Sequence, residues 1–292
     1  MAGTAQQAER RRRFAPYGLL SPGVIWLALF FLVPLAYLLR ASLSTRPNRF
    51  VPNDLDFAWH WSNYSEAFDQ FGEQIQRSFV YAGLTTILCI AIGFPLAYVI
   101  AFRGGKYKHL LLGLVVVPFF TTYLIRTIAW KTILADTGIV VDTLRTIGVL
   151  GADGRLLATP AGVIGGLTYN FLPFMILPIY VSLEKIDPDL VAAAKDLYST
   201  PGRAFRKVVF PLAIPGVIAG SLLTFIPACG DFVNSVFLGS PRTTMIGNVV
   251  QNQFLVQLDY PTAAALGFIL MVIITIAVLI YARVLGTEDL TG

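Results

Sequence analysis

Six apolar stretches, each as long as a bilayer is thick, constrain this chain more than any other feature. They fall near 18–39, 78–102, 109–130, 160–183, 209–239 and 261–282. Each reaches the ~20 residues that a helix rising 1.5 Å per residue needs to cross a hydrocarbon core. The apolar residues come in blocks and not at the spacing of a helix with one wet face. Composition agrees: 55% of the 292 residues are hydrophobic and 13% are charged, roughly half the charged share of a soluble domain. The expected fold is all-α and integral to the membrane, with about six transmembrane helices. One domain is expected over 17–285, between a basic tail at 1–16 and a short tail at 286–292. The third stretch is the least regular, because Arg126 falls near its end and Lys131 follows. The fifth carries Pro211, Pro215 and Pro227 and is expected to kink or to follow a short interfacial helix.

Six crossings put both termini on one side, and the basic residues choose which. With the amino terminus inside, the inner segments hold Arg10 to Arg13, Arg103, Lys106, Lys108, Lys185, Lys195, Arg203, Arg206, Lys207 and Arg283. These are about 13 of the 22 Lys and Arg, concentrated in short connections, so both termini are expected in the cytosol. The same asymmetry accounts for the net charge of +5 without a nucleic-acid partner. The apolar run after Arg13 is too long for a signal-peptide core and reads as a retained span. Trp59, Trp61 and Tyr64 read as aromatics at the outer membrane interface. Cys89 and Cys229 each lie inside an apolar run and read as small core residues. His60 and His109 have no ligand spacing, and no metal is assigned. The chain carries neither a GxxxxGK[ST] phosphate loop nor an HExxH or GxSxG element, so no catalytic residue and no cofactor is assigned to it.

The inner connection 184–208 is the most informative loop. Asp187 followed by Pro188 reads as a helix start, with Asp as the cap and Pro at the first helical position. Leu190, Ala193, Ala194 and Leu197 recur at helical spacing, so a short helix is expected to run to about Tyr198. Ser199 to Gly202 breaks it, and a second helix is expected to begin at Thr200-Pro201 and lead to Pro211. The alanines leave a smooth surface for close approach; interfacial packing and docking into a partner's groove both fit it.

Asp231 is the one acid placed well within an apolar stretch. Such a carboxylate is costly and marks a pathway, or else sits wetted at a helix end beside Gly230 and Asn234. Tyr169 and Asn170 either line the same cavity or bond neighbouring helices. Arg126 is expected to snorkel to the outer surface or to pair with an acid there, Asp231 being the nearest by depth. Gly216 and Gly220 read as a close-packing pair.

The loop's Ala192-Ala193-Ala194, Tyr198 and Val208-Val209-Phe210-Pro211 resemble the loop signature of ABC importer permeases. Ala192 stands where that family has Glu, Tyr198 where it has Gly, and Phe210 where it has Leu. The resemblance covers nearly the whole chain and narrows to the spermidine/putrescine permeases, as the first of their two permeases. Supporting stretches are Asn63-Tyr64, Pro118 to Trp130, Gly230 to Val233 and Thr244 to Phe254. It implies type I importer architecture and a coupling helix at 188–198 that sits on a cytosolic ATPase. It also implies a second permease, two ATPase subunits that bind ATP and Mg, an external substrate-binding protein and a bacterial inner-membrane location. Relatives that carry opines, aminophosphonates or ferric iron have similar permeases. A stand-alone secondary transporter would need ion sites in broken helices, and an intramembrane enzyme would need convergent catalytic groups.

Overall fold

The computed structural model describes residues 20–46, 55–198 and 200–285, and the fold is helical. The basic tail with Arg10 to Arg13 and the tail 286–292 lie outside the described residues. Helix α1 (Leu20–Ser42) is followed by a two-stranded antiparallel ribbon, β1 (Ser44–Thr45) against β2 (Asp56–Phe57). Then come α2 (Ser62–Arg103), α3 (Lys108–Val116), α4 (Tyr123–Ile133), α5 (Ile139–Thr146) and α6 (Pro160–Glu184). The remaining helices are α7 (Pro188–Tyr198), α8 (Phe210–Cys229), α9 (Val233–Leu238), α10 (Ile246–Leu255) and α11 (Tyr260–Leu285).

The sequence expects a third crossing in one piece, and the structure breaks it. A 3-10 turn at Val117–Phe120 ends α3, Thr121 and Thr122 are extended, and α4 departs at 95°. The pair still amounts to one crossing. At one end of α6 the Lys108 ammonium meets the Glu184 carboxylate at 2.5 Å. At the other end Thr159 caps α6, and the neighbouring Ala158 N–H donates to the Leu238 carbonyl. The chain has therefore passed from one end of α6 to the other between Lys108 and Ala158, and with this pair counted as one span the described residues hold six candidate crossings.

Helices α2, α6 and α8 form the core. In lipid no hydrophobic effect drives spans together, so close contact must do it. A Cβ on Gly216 would lie 2.5 Å from the Pro178 carbonyl oxygen, and one on Gly220 would lie 2.8 Å from the Met175 sulfur. The expected close-packing pair is thus where α8 meets α6. Cys89 and Cys229 are free thiols buried in the same core, as read from the sequence. Gly220→Val should overpack this contact by about 1–3 kcal/mol and sharply lower the yield of folded protein. A Gly220→Val protein with wild-type thermal stability in detergent would remove the glycine from that role.

Helix α2 begins well before its apolar stretch and runs for 42 residues. Its N-terminal part builds a second cluster in which Ala67, Phe71 and Ile75 meet Ile246 and Val249 of α10 and Ala265 and Leu266 of α11. Asn63 donates to the Ser42 and Ser44 carbonyls at 2.9 Å, and the Tyr64 hydroxyl lies 2.7 Å from Ser42 Oγ. The Asn63-Tyr64 pair therefore ties the C-terminal end of α1 to α2. Trp59 and Trp61 are exposed beside Tyr64, in stacked and tilted ring contacts.

Candidate functional site

Two features bear on function, one at each end of the bundle. At the α7 end the Asp187 carboxylate accepts from the Asp189 N–H at 2.9 Å, so the predicted cap and helix start are both present. Helix α7 turns Ala194 inward, 6% exposed, and leaves Ala193 outward. Leu190 and Leu197 are 52% and 75% exposed, so the helix presents an apolar face that none of the described residues covers. The side chains of Pro188 and Tyr198 lie outside the described residues. Gly202 sits in the helical turn Pro201–Ala204, which passes through a π-wound segment at Phe205–Val209 into α8. Pro211 lies inside the continuous helix Gly202–Cys229, just after the π-wound segment, where altered winding accommodates a residue without an N–H. Phe205 packs on Phe94 and Tyr98 of α2 and so fixes the loop to the core.

The second feature is a polar clasp toward the opposite end of the bundle. The sequence puts Asp231 inside the fifth span; the structure ends α8 at Cys229 and places Asp231 in the turn before α9. The residue is nonetheless buried, 8% exposed, and so is not the wetted helix end either. Its Oδ2 accepts from the Tyr123 hydroxyl at 2.5 Å, and its Oδ1 accepts from the Asn234 N–H at 2.8 Å. Asn234 Nδ2 also donates to the Tyr123 oxygen at 2.5 Å. Asn170 extends the chain, its Nδ2 lying 3.2 Å from Asn234 Oδ1 and 3.3 Å from Thr127 Oγ1. Of the four predicted pathway residues, Asp231, Asn234 and Asn170 thus come together. Tyr169 does not; its ring packs on Trp130 at 5.3 Å.

Sequence reasoning misses Tyr123, which opens α4 where the third span breaks. It also misplaces Arg126. That side chain neither snorkels nor pairs with an acid: it is 9% exposed, and no salt bridge reaches it among the described residues. Its guanidinium lies over the rings of Phe119 and Tyr123, 5.1 and 5.7 Å from their centroids. The Thr244–Phe254 stretch braces the turn from outside, with Asn248 donating to the Phe232 carbonyl at 3.0 Å. Beside it a cleft of about 610 Å³ is lined by Asn248, Gln251, Asn252 and Gln253, among others.

A bundle with up to six candidate membrane spans, one of them broken beside buried polar groups, is the architecture of a polytopic membrane protein. Residues 90–285 match the family model for the binding-protein-dependent transport system inner membrane component, and the chain belongs to that family. It is homologous to the spermidine/putrescine transport system permease protein PotB of Haemophilus influenzae, with 38% identity over 88% of this chain and 90% of that one. For PotB of Escherichia coli K12 the identity is 36%, over 88% of this chain and 93% of the relative. The inner membrane ABC transporter permease protein YdcU of E. coli is 36% identical over 74% of this chain and 72% of its own length. A solved bacterial ABC transporter involved in the import of the acidic polysaccharide alginate has the same fold. Its TM-score is 0.69 at 19% identity, covering 98% of this chain and 100% of that one. The chain is thus a multi-pass permease subunit of an ABC importer, a transport component.

Proposed function

We propose that this chain forms half of a heterodimeric pore for polyamines of the spermidine and putrescine class, in the bacterial inner membrane with both termini in the cytosol. A second permease completes the pore, two ATPase subunits bind ATP and Mg and carry out hydrolysis, and an external binding protein delivers the substrate. The chain itself holds no cofactor. The observation that carries the substrate reading is the 38% identity to PotB over nearly the full length of both chains. The buried carboxylate of Asp231 beside an aromatic ring is the chemistry that favours an amine cation. The exposed Leu190 and Leu197 on α7 support a docking role for that helix, because a capped, rigid helix can carry closure of the ATPases into α8.

Reconstitution of the four-component complex tests this directly. Spermidine-loaded binding protein is expected to stimulate ATP hydrolysis and drive labelled spermidine into vesicles. Stimulation by an opine- or aminophosphonate-loaded binding protein in its place would overturn the substrate assignment. A reporter fused after Gly292 is expected to be active only in its cytosolic form; periplasmic activity would overturn the orientation.

A further inference from the structure

Two buried charged groups of opposite sign flank one ring without meeting. Asp231 accepts three hydrogen bonds, from the Tyr123 hydroxyl, the Asn234 N–H and Asn234 Nδ2, and no salt bridge reaches it among the described residues. Arg126 is 9% exposed, and its Nε and Nη1 are shut off from solvent with no hydrogen-bond partner. An uncompensated buried charge is expensive, and a direct pair between the two would relieve both. The fold instead joins Asp231 to the hydroxyl of Tyr123 and sets Arg126 over the ring faces of Tyr123 and Phe119. Phe119 also packs edge-on against Phe174 at 5.1 Å, and Tyr123 lies 6.2 Å from Phe171, so the aromatic walls are themselves held by α6.

Ring faces beside a carboxylate recognise an ammonium or guanidinium ion. We infer that Phe119, Tyr123 and Asp231 form a cation site at the break in the third span, and that Arg126 occupies it at rest as a tethered competitor of the substrate amine. A primary ammonium entering from the pore takes the Tyr123 and Phe119 faces and draws on the Asp231 charge, and Arg126 swings aside. The site is thereby weak by construction, since an arriving cation must displace one already bound, and an importer needs weak sites to release what it passes. The position of the break supports this, because an α4 that starts at Tyr123 can move without dragging α3 with it.

This inference rests on the polyamine reading, and the test separates the two. Spermidine is titrated onto the assembled complex in nanodiscs without binding protein, for the wild type, Arg126→Gln and Arg126→Lys, and uptake is measured in parallel. Arg126→Gln should bind spermidine about tenfold more tightly, because the arriving amine no longer has to displace a desolvated cation–π interaction. Arg126→Lys, which keeps the charge but stacks less well, should fall between the two. Should Arg126→Gln not assemble, a several-fold tightening in Arg126→Lys supports the same conclusion. Wild-type import of spermidine with identical titrations for all assembled variants overturns the role of Arg126 and leaves the substrate reading standing. Loss of assembly with the second permease in Arg126→Gln, together with an unchanged Arg126→Lys titration, makes Arg126 an interface residue and also overturns it. A wild-type complex that imports no polyamine removes the substrate reading itself.

Discussion

Ala193→Arg should insert into the membrane at wild-type levels yet abolish coupled transport. Ala193 points outward from α7 between the exposed Leu190 and Leu197, so a long cation there stands in whatever groove receives the helix. Losing close approach over an interface a few turns long should lower uptake at least about tenfold, equivalent to ~1.4 kcal/mol of docking energy. Stimulation of the ATPase by loaded binding protein should fall with it. The neighbouring Ala194 supplies the contrast. It faces into this chain, so Ala194→Arg is expected to damage the permease and reduce its own yield. Normal uptake and stimulation by Ala193→Arg would show that α7 docks on nothing, and the exposed leucines would then need another explanation.

The second large effect concerns the polar clasp. Tyr123→Phe removes the 2.5 Å bond between the phenol and the carboxylate, and Asp231→Asn removes the charge that strengthens it. Each should lower spermidine uptake roughly tenfold or more, the scale of a hydrogen bond to a charged group. If one interaction is at stake, the double variant should be little worse than the worse single one. Complex yield, measured in the same preparations, separates a pathway role from a structural one. Uptake by Asp231→Asn at the wild-type level removes the carboxylate from the pathway. Equal losses of yield and uptake in every variant would make the clasp a fastening of α4 to α9 and nothing more.

The crossings are legible in the sequence because lipid demands length and apolarity, and both are local. The cap at Asp187 is legible too, since Asp-Pro constrains the backbone within two residues. The break in the third span is not. It falls at Thr121-Thr122, three residues after Pro118, and neither threonine forbids a helix. The N-terminal extension of α2 is hidden because residues 62–77 are mixed polar and apolar, too polar to register as a span although they form a helix. Asp231 and Tyr123 stand 108 residues apart, and nothing in either neighbourhood names the other. For Arg126 the sequence suggests water or an acid; aromatic faces hold it instead.

The length of α2 has a consequence for how this protein comes apart. At 1.5 Å per residue the helix spans roughly 63 Å, about twice a hydrocarbon core, and about 24 Å of that precedes its apolar stretch. The cluster of Phe71, Ile75, Ile246 and Leu266 builds around the mixed polar and apolar part of α2 that precedes that stretch. Its cohesion depends on expelling water, whereas the contact of Gly216 and Gly220 with α6 depends on close fit within lipid. One polypeptide is thus held by two forces with opposite sensitivities to temperature and solute. Urea and cooling are expected to weaken that cluster ahead of the glycine seam, so α10 and α11 should part from α2 before α6 and α8 come apart.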